Sequence, residues 1–203
     1  MKILAYLLCT VLLIGSSVST AHCAAPKMRP YAGIGILVLP SAPNPPADAP
    51  SLYEEPALNR LGDLDSAKAP ALDWIFGNSS ATHLLIVTAR KGAWLRVAYD
   101  DAGREGWLKP PRQMSFQTWD LFLKGNVSYI LPGLQKKFYQ MYQEPGSGAA
   151  TELTARQQFK VLQLEDDWAM VLIDQSTLGW LRWRDEDGRL VIGIVSEQRV
   201  QQL

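Results

Sequence analysis

The sequence predicts a mainly β protein built from two small β-barrels in tandem, and three observations carry that prediction. The segment Leu52-Tyr53-Glu54-Glu55-Pro56 returns as Met141-Tyr142-Gln143-Glu144-Pro145, 89 residues further on. Each copy leads to a second shared pattern. Trp94 to Tyr99 is followed by a polar turn and Gly106-Trp107-Leu108, and Trp168 to Ile173 by a polar turn and Gly179-Trp180-Leu181. The surrounding runs are short and β-prone, with polar turns between them and few helix signals. Internal repetition of this kind outweighs any single residue as a sign of architecture.

Residues 1–25 read as an export signal. Met1-Lys2 is a charged start, Ile3 to Ile14 is almost wholly apolar, and small residues lead from Gly15 to Ala24-Ala25. A membrane-spanning helix needs about 20 apolar residues, so no stable span is expected once the signal is removed. Ser19-Thr20-Ala21 and Cys23-Ala24-Ala25 both offer small residues for the cut. Lipidation of Cys23 is the alternative, and His22 disfavours it by standing where a small residue is wanted. The expected location is exported, periplasmic or secreted.

Residues 26–50 give a strand, Ile34 to Leu39, and then an extended linker with five prolines from Pro40 to Pro50. Gly33-x-Gly35 lacks the third glycine and the following helix of a nucleotide-binding turn. Residues 51–112 hold the first copy. Leu84 to Thr88 is a strand, Trp94 to Tyr99 another, and Asp100-Asp101-Ala102-Gly103 supplies turn chemistry before the chain returns. Residues 113–137 connect the copies and are too apolar for a flexible linker. There Phe116, Trp119 and Leu123 are expected on one face of a short helix, and Val127 to Leu131 as a strand. Residues 138–203 hold the second copy, with strands at Phe159 to Leu164 and Leu190 to Val195 and a polar tail from Ser196.

With its order of Tyr-x-x-Pro, strand, Trp-x-x-Val, polar turn and Gly-Trp-aliphatic, the chain resembles the bacterial SH3-like (SH3b-type) domains of exported envelope proteins. Tyr53, Pro56, Trp94, Val97, Gly106 and Trp107 carry the likeness in the first copy. Tyr142, Pro145, Trp168, Val171, Gly179 and Trp180 carry it in the second. The resemblance implies SH3-like barrels that recognise peptide, in exported bacterial proteins often cell-wall peptide or glycan. The first copy carries about 15 extra residues between Leu64 and Thr82, including Trp74-Ile75-Phe76. The resemblance sets this insert beside the groove, where it would reshape or cover it. The competing reading folds the insert back as an extra layer, and it is favoured because an exposed aromatic triplet invites aggregation.

Composition narrows the function. The chain's formal net charge is zero, so the basic surplus that nucleic acid requires is missing. Its two cysteines, Cys9 and Cys23, lie in or at the edge of the signal, which leaves no disulfide framework and no thiol chemistry. His83 has no second histidine or cysteine nearby with which to form a base pair or metal site. The acidic runs Glu165-Asp166-Asp167 and Asp185-Glu186-Asp187 lack calcium-loop spacing and read as solvated turns. No cofactor, no metal and no catalytic residue is expected. The expectation is a non-catalytic binding protein whose partner is cell-wall peptide, or another envelope protein that it docks as a scaffold. Its ligand-binding candidates are Tyr53, Trp94, Tyr142, Trp168 and Trp183, with Trp183 partly exposed between Arg182 and Arg184.

Overall fold

A computed structural model describes residues 28–40, 49–77, 82–148 and 150–195. The expected export signal, residues 41–48 of the proline-rich stretch and the polar tail lie outside the described residues. The chain is mainly β and its ladders are antiparallel. A first group of strands comprises β1 (Gly35–Pro40), β2 (Ser51–Glu55), β3 (Leu58–Asp63), β4 (Thr82–Lys91), β5 (Trp94–Ala98), β6 (Glu105–Leu108) and β7 (Ser115–Thr118). They pair in the order β3-β2-β6-β5-β4-β1-β7.

The second group comprises β8 (Val127–Ile130), β9 (Gln140–Met141), β10 (Thr151–Glu152), β11 (Gln158–Glu165), β12 (Trp168–Ile173), β13 (Thr177–Arg182) and β14 (Ile192–Ile194). Here β13-β12-β11-β8-β14 form one sheet and β10-β9 a hairpin. Tyr142, just past β9, joins the hairpin to that sheet: its N–H donates to the Trp180 carbonyl at 2.7 Å and its carbonyl accepts from Trp180 at 2.8 Å. The linked order is β10-β9-β13-β12-β11-β8-β14. Each position matches the first group with seven added to the strand number.

The repeat therefore extends beyond the residues that mark it in the sequence. Each unit begins one strand before the Tyr-x-x-Pro hairpin and ends one strand after the Gly-Trp strand. Among the described residues the strand order is open at both ends in each unit. The registers agree as closely as the order. Val97 faces Gly106 and Tyr53 faces Trp107 in the first unit; Val171 faces Gly179 and Tyr142 faces Trp180 in the second. In the second unit the shared glycine has a packing reason. A Cβ on Gly179 would stand 2.5 Å from Met141 Cγ and 2.9 Å from the Tyr142 carbonyl, so only glycine lets the hairpin cross so closely.

Apolar periodicity decides which faces are buried. In β1, Ile36 enters one core and Leu37 and Leu39 the other, and in β4 Ile86 opposes Leu85 and Val87 in the same way. Strands buried on both faces read as continuous apolar runs, which is what Ile34 to Leu39 and Leu84 to Val87 are. By contrast β11 buries Phe159 and Val161 and exposes Lys160, so it alternates. The first core lies between Leu37, Leu52, Val97 and Leu108 of the first unit. The second core is larger and takes residues from both units, among them Ile36, Ile86, Val171 and Leu181.

Two short helices close that second core. α1 (Asp73–Phe76) lies in the insert of the first unit and ends at Gly77; α2 (Trp119–Lys124) lies between the units, with Asp120 and Lys124 paired one turn apart at 2.9 Å. α1 contributes Ile75 and Phe76, and α2 contributes Trp119, Phe122 and Leu123. Trp119 Nε1–H donates to the Ala32 carbonyl at 2.8 Å, which satisfies its one polar group inside the core. The expected helical face of Phe116, Trp119 and Leu123 is corrected here. Phe116 belongs to β7, because the chain turns helical only after Thr118, and Phe122 takes its place on the buried face.

An N-terminal clasp ties the first described residues to the second unit. Arg29 donates to the Asp185 carboxylate at 2.7 Å and to the Leu190 carbonyl at 3.0 Å. Ala32 N–H donates to the Gly188 carbonyl at 2.8 Å, and the Arg189 guanidinium lies 4.1 Å from the Tyr31 ring centroid. Asp185 is buried, contrary to the expected solvated turn, because it also accepts the N–H groups of Asp187 and Arg189. Burial pushes its carboxyl up, but those N–H groups and the Arg29 guanidinium hold it below the usual aspartate value.

Candidate functional site

Each unit carries one aromatic pair on the sheet face that points away from its core. Alternation along β5 sends Leu95 and Val97 inward and leaves Trp94 and Arg96 outward; β2 buries Leu52 and leaves Tyr53 outward. The rings of Tyr53 and Trp94 meet edge to face, with centroids 5.5 Å apart and planes at 90°. In the second unit Tyr142 and Trp168 meet at 5.6 Å and 88°. All four rings are half-buried and belong to neither core. Such pairs contribute about 0.5–1.5 kcal/mol beyond burial, enough to hold both rings in a fixed pose while part of each stays wet.

The tryptophan that follows each shared glycine completes the row. Trp107 stands between Tyr53 and Arg96 across the sheet and is only 9% exposed, outside both cores. Trp180 stands between Tyr142 and Met170 and is half-buried. Around the first pair lie charged and polar groups. Arg96 pairs with Glu105 at 2.9 Å, and Glu54 and Glu55 are exposed beside Tyr53, Glu54 accepting from Asn59 at 3.0 Å. Around the second pair the Tyr142 hydroxyl donates to Gln140 at 2.6 Å, and the Arg182 guanidinium covers Trp168 at 4.8 Å. Arg182 also approaches Asp167 at 3.6 Å and Glu186 at 4.0 Å.

Trp183 does not join these pairs. The expectation of partial exposure is corrected: Trp183 is 3% exposed, its Nε1–H donates to the Asp166 carbonyl at 2.9 Å, and its ring lies 5.6 Å from that of Trp119. The reason is strand parity. Arg182 and Arg184 point to one side, so the residue between them points into the core with Leu181. The insert likewise turns away from the first pair. Ile75 and Phe76 pack in the second core, and the Tyr129 hydroxyl donates to the Trp74 carbonyl at 2.8 Å.

A cavity of about 230 Å³ opens at the end of the first core, lined by Leu52, Leu61, Tyr99, Asp63, Asp100 and Arg104 among others. Its charges are already matched. The Arg60 guanidinium holds Asp63 below the usual carboxylate range, and Arg104 pairs with Asp100. His83 is exposed on β4. Among the described residues no group of three or more His, Cys, Asp or Glu side chains gathers to hold a metal ion.

No family model matches the chain, and no curated protein matches it. Among solved structures it is similar to the crystal structure of an NlpC/P60 family protein from Bacillus cereus ATCC 10987, at 18% identity and a TM-score of 0.24. That similarity covers 84% of this chain and 57% of the other, so this chain spans less than two thirds of its length. A likeness at that score does not establish a shared fold.

Proposed function

We propose that the chain is a non-catalytic exported binding protein of two SH3-like barrels in tandem, which recognises cell-wall peptide or glycan through the aromatic pair of its first unit. One observation carries the reading. In both units a tyrosine stands edge-on to a tryptophan at the same strand positions, on the solvent side, where neither core needs the rings. Rings held open in this way offer rigid contact area at low entropic cost. The first pair has the better surroundings for a polar peptide, because Arg96 and Glu105 share its outer face and Glu55 is exposed on the same strand as Tyr53.

The test is co-sedimentation of the purified mature protein with isolated cell-wall sacculi. Tyr53→Ala is expected to lose most of the bound fraction, while a melting temperature near that of the parent shows the fold intact. A parent protein that stays in the supernatant removes the proposal.

A further inference from the structure

The outer face of β11, β12 and β13 presents a surface that the first unit lacks. Cross-strand register lays Trp168, Met170 and Leu172 of β12 beside Leu178 and Trp180 of β13, all on the side away from the core. None of the five is buried, and Leu178 is 59% exposed. The register of the first unit puts Arg96 where the second has Met170, and Glu105 where it has Leu178. Arg96 and Glu105 form an ion pair, so the same fold carries a charged face in one unit and an apolar one in the other. An apolar face edged by charge, with Arg182 lying over Trp168 at one end, marks a surface that another molecule covers.

The rim indicates what covers it. On β11 the outward residues flanking this face are Glu165 at one end, opposite Trp168, and Lys160 at the other, opposite Leu172. Both side chains are exposed and neither is in an ion pair within 4.0 Å among the described residues. We propose that the face joins a second copy of this chain, sheet on sheet, about a two-fold axis in the interface and perpendicular to the strands. That axis reverses strand direction while laying β11 on β11 and β12 on β12. Each Glu165 then meets Lys160 of the partner subunit, each Trp168 meets the partner's Leu172, and Met170 sits near the axis. An isologous contact needs such self-complementarity. The inference goes beyond the ligand reading: association covers the Tyr142–Trp168 pair and leaves Tyr53–Trp94 free in both copies.

Analytical ultracentrifugation of the mature chain over a range of concentrations tests this. The mass is expected to rise from one chain to two. Met170→Arg with Leu178→Glu, which copies the ion pair of the first unit onto the second, is expected to weaken association by about a hundredfold or more. Glu165→Lys sets like charges across the axis and is expected to cost about tenfold, and adding Lys160→Glu restores association. The two charge substitutions lie at exposed positions and carry the test if the Met170 and Leu178 changes disturb folding. A monomer at every concentration overturns the proposal. So does a dimer indifferent to the Met170 and Leu178 changes, or a Glu165→Lys loss that Lys160→Glu does not recover.

Discussion

Where the first unit carries Arg96 and Glu105 on the outer face of its β5–β6 ladder, the second carries Met170 and Leu178 on the matching strands in the matching register. Inside the same ladders the units scarcely differ. Val97 answers Val171, Leu108 answers Leu181, and Gly106 answers Gly179, each at the same place in its sheet. Close packing leaves little choice on the inner face, because a change of one methylene is felt there. The outer face answers only to what touches it. The units have diverged on this outer face, charged in one and apolar in the other, and the two proposed surfaces rest on that difference.

The sharpest way to break this comparison is to ask whether the units are separate at all. Ile36 and Leu37 are neighbours in β1, both fully buried, and each serves a different core. Ile36→Ala and Leu37→Ala are each expected to cost about 3 kcal/mol. Both should lower one cooperative calorimetric transition, because β1 is common to the two cores. Two resolved transitions, with each variant moving only one, would show that the units melt independently.

The clasp of the second unit comes next. Asp185→Asn removes the buried carboxylate that pairs with Arg29 and is expected to cost about 2 kcal/mol at neutral pH, read from the denaturant midpoint. The sign with pH follows from the lowered value of Asp185. Its contribution is present above the usual aspartate value of 3.8 and is lost as the pH falls through the lower folded value. The gap between parent and Asp185→Asn should therefore narrow in acid; a gap constant down to pH about 2 would contradict the assignment.

The smallest expected effect compares the two hairpin turns. Pro56-Ala57 and Pro145-Gly146 occupy the same turn, but Ala57 has φ 64° where Gly146 has φ 73°. A left-handed alanine is strained and a glycine is not. Ala57→Gly is expected to stabilise by about 0.5 kcal/mol and Gly146→Ala to destabilise by about 1 kcal/mol, both measured by chemical denaturation. Equal signs for the two changes would show that the turns are not equivalent.

The sequence made the inner repeat legible because the residues that pack the ladder are the ones that recur: tyrosine before proline, valine after tryptophan, glycine before tryptophan. It showed β1, β8 and β14 as strands but not β1 and β8 as matching members of the repeat, and it gave no strand at β7. β1 is apolar on both sides because two cores meet it, whereas β8 is a four-residue strand with Ser128 and Ile130 buried, so the two look unrelated in one dimension. Trp183 was misjudged from its arginine neighbours, when the parity of β13 points it the other way. The clasp had no local signal, since Arg29 and Asp185 are 156 residues apart in the chain. Of the candidate site, the four paired rings were readable as residues, but only the sheet register shows that they form two like pairs with unlike surroundings.

The division of labour between the units is most directly tested by the indole N–H resonances of the tryptophans in a nuclear magnetic resonance titration of the mature protein with a soluble cell-wall peptide fragment. The Trp94 signal is expected to shift with added fragment while the Trp168 signal stays in place. A shift of Trp168 alone, or of neither, would contradict that division.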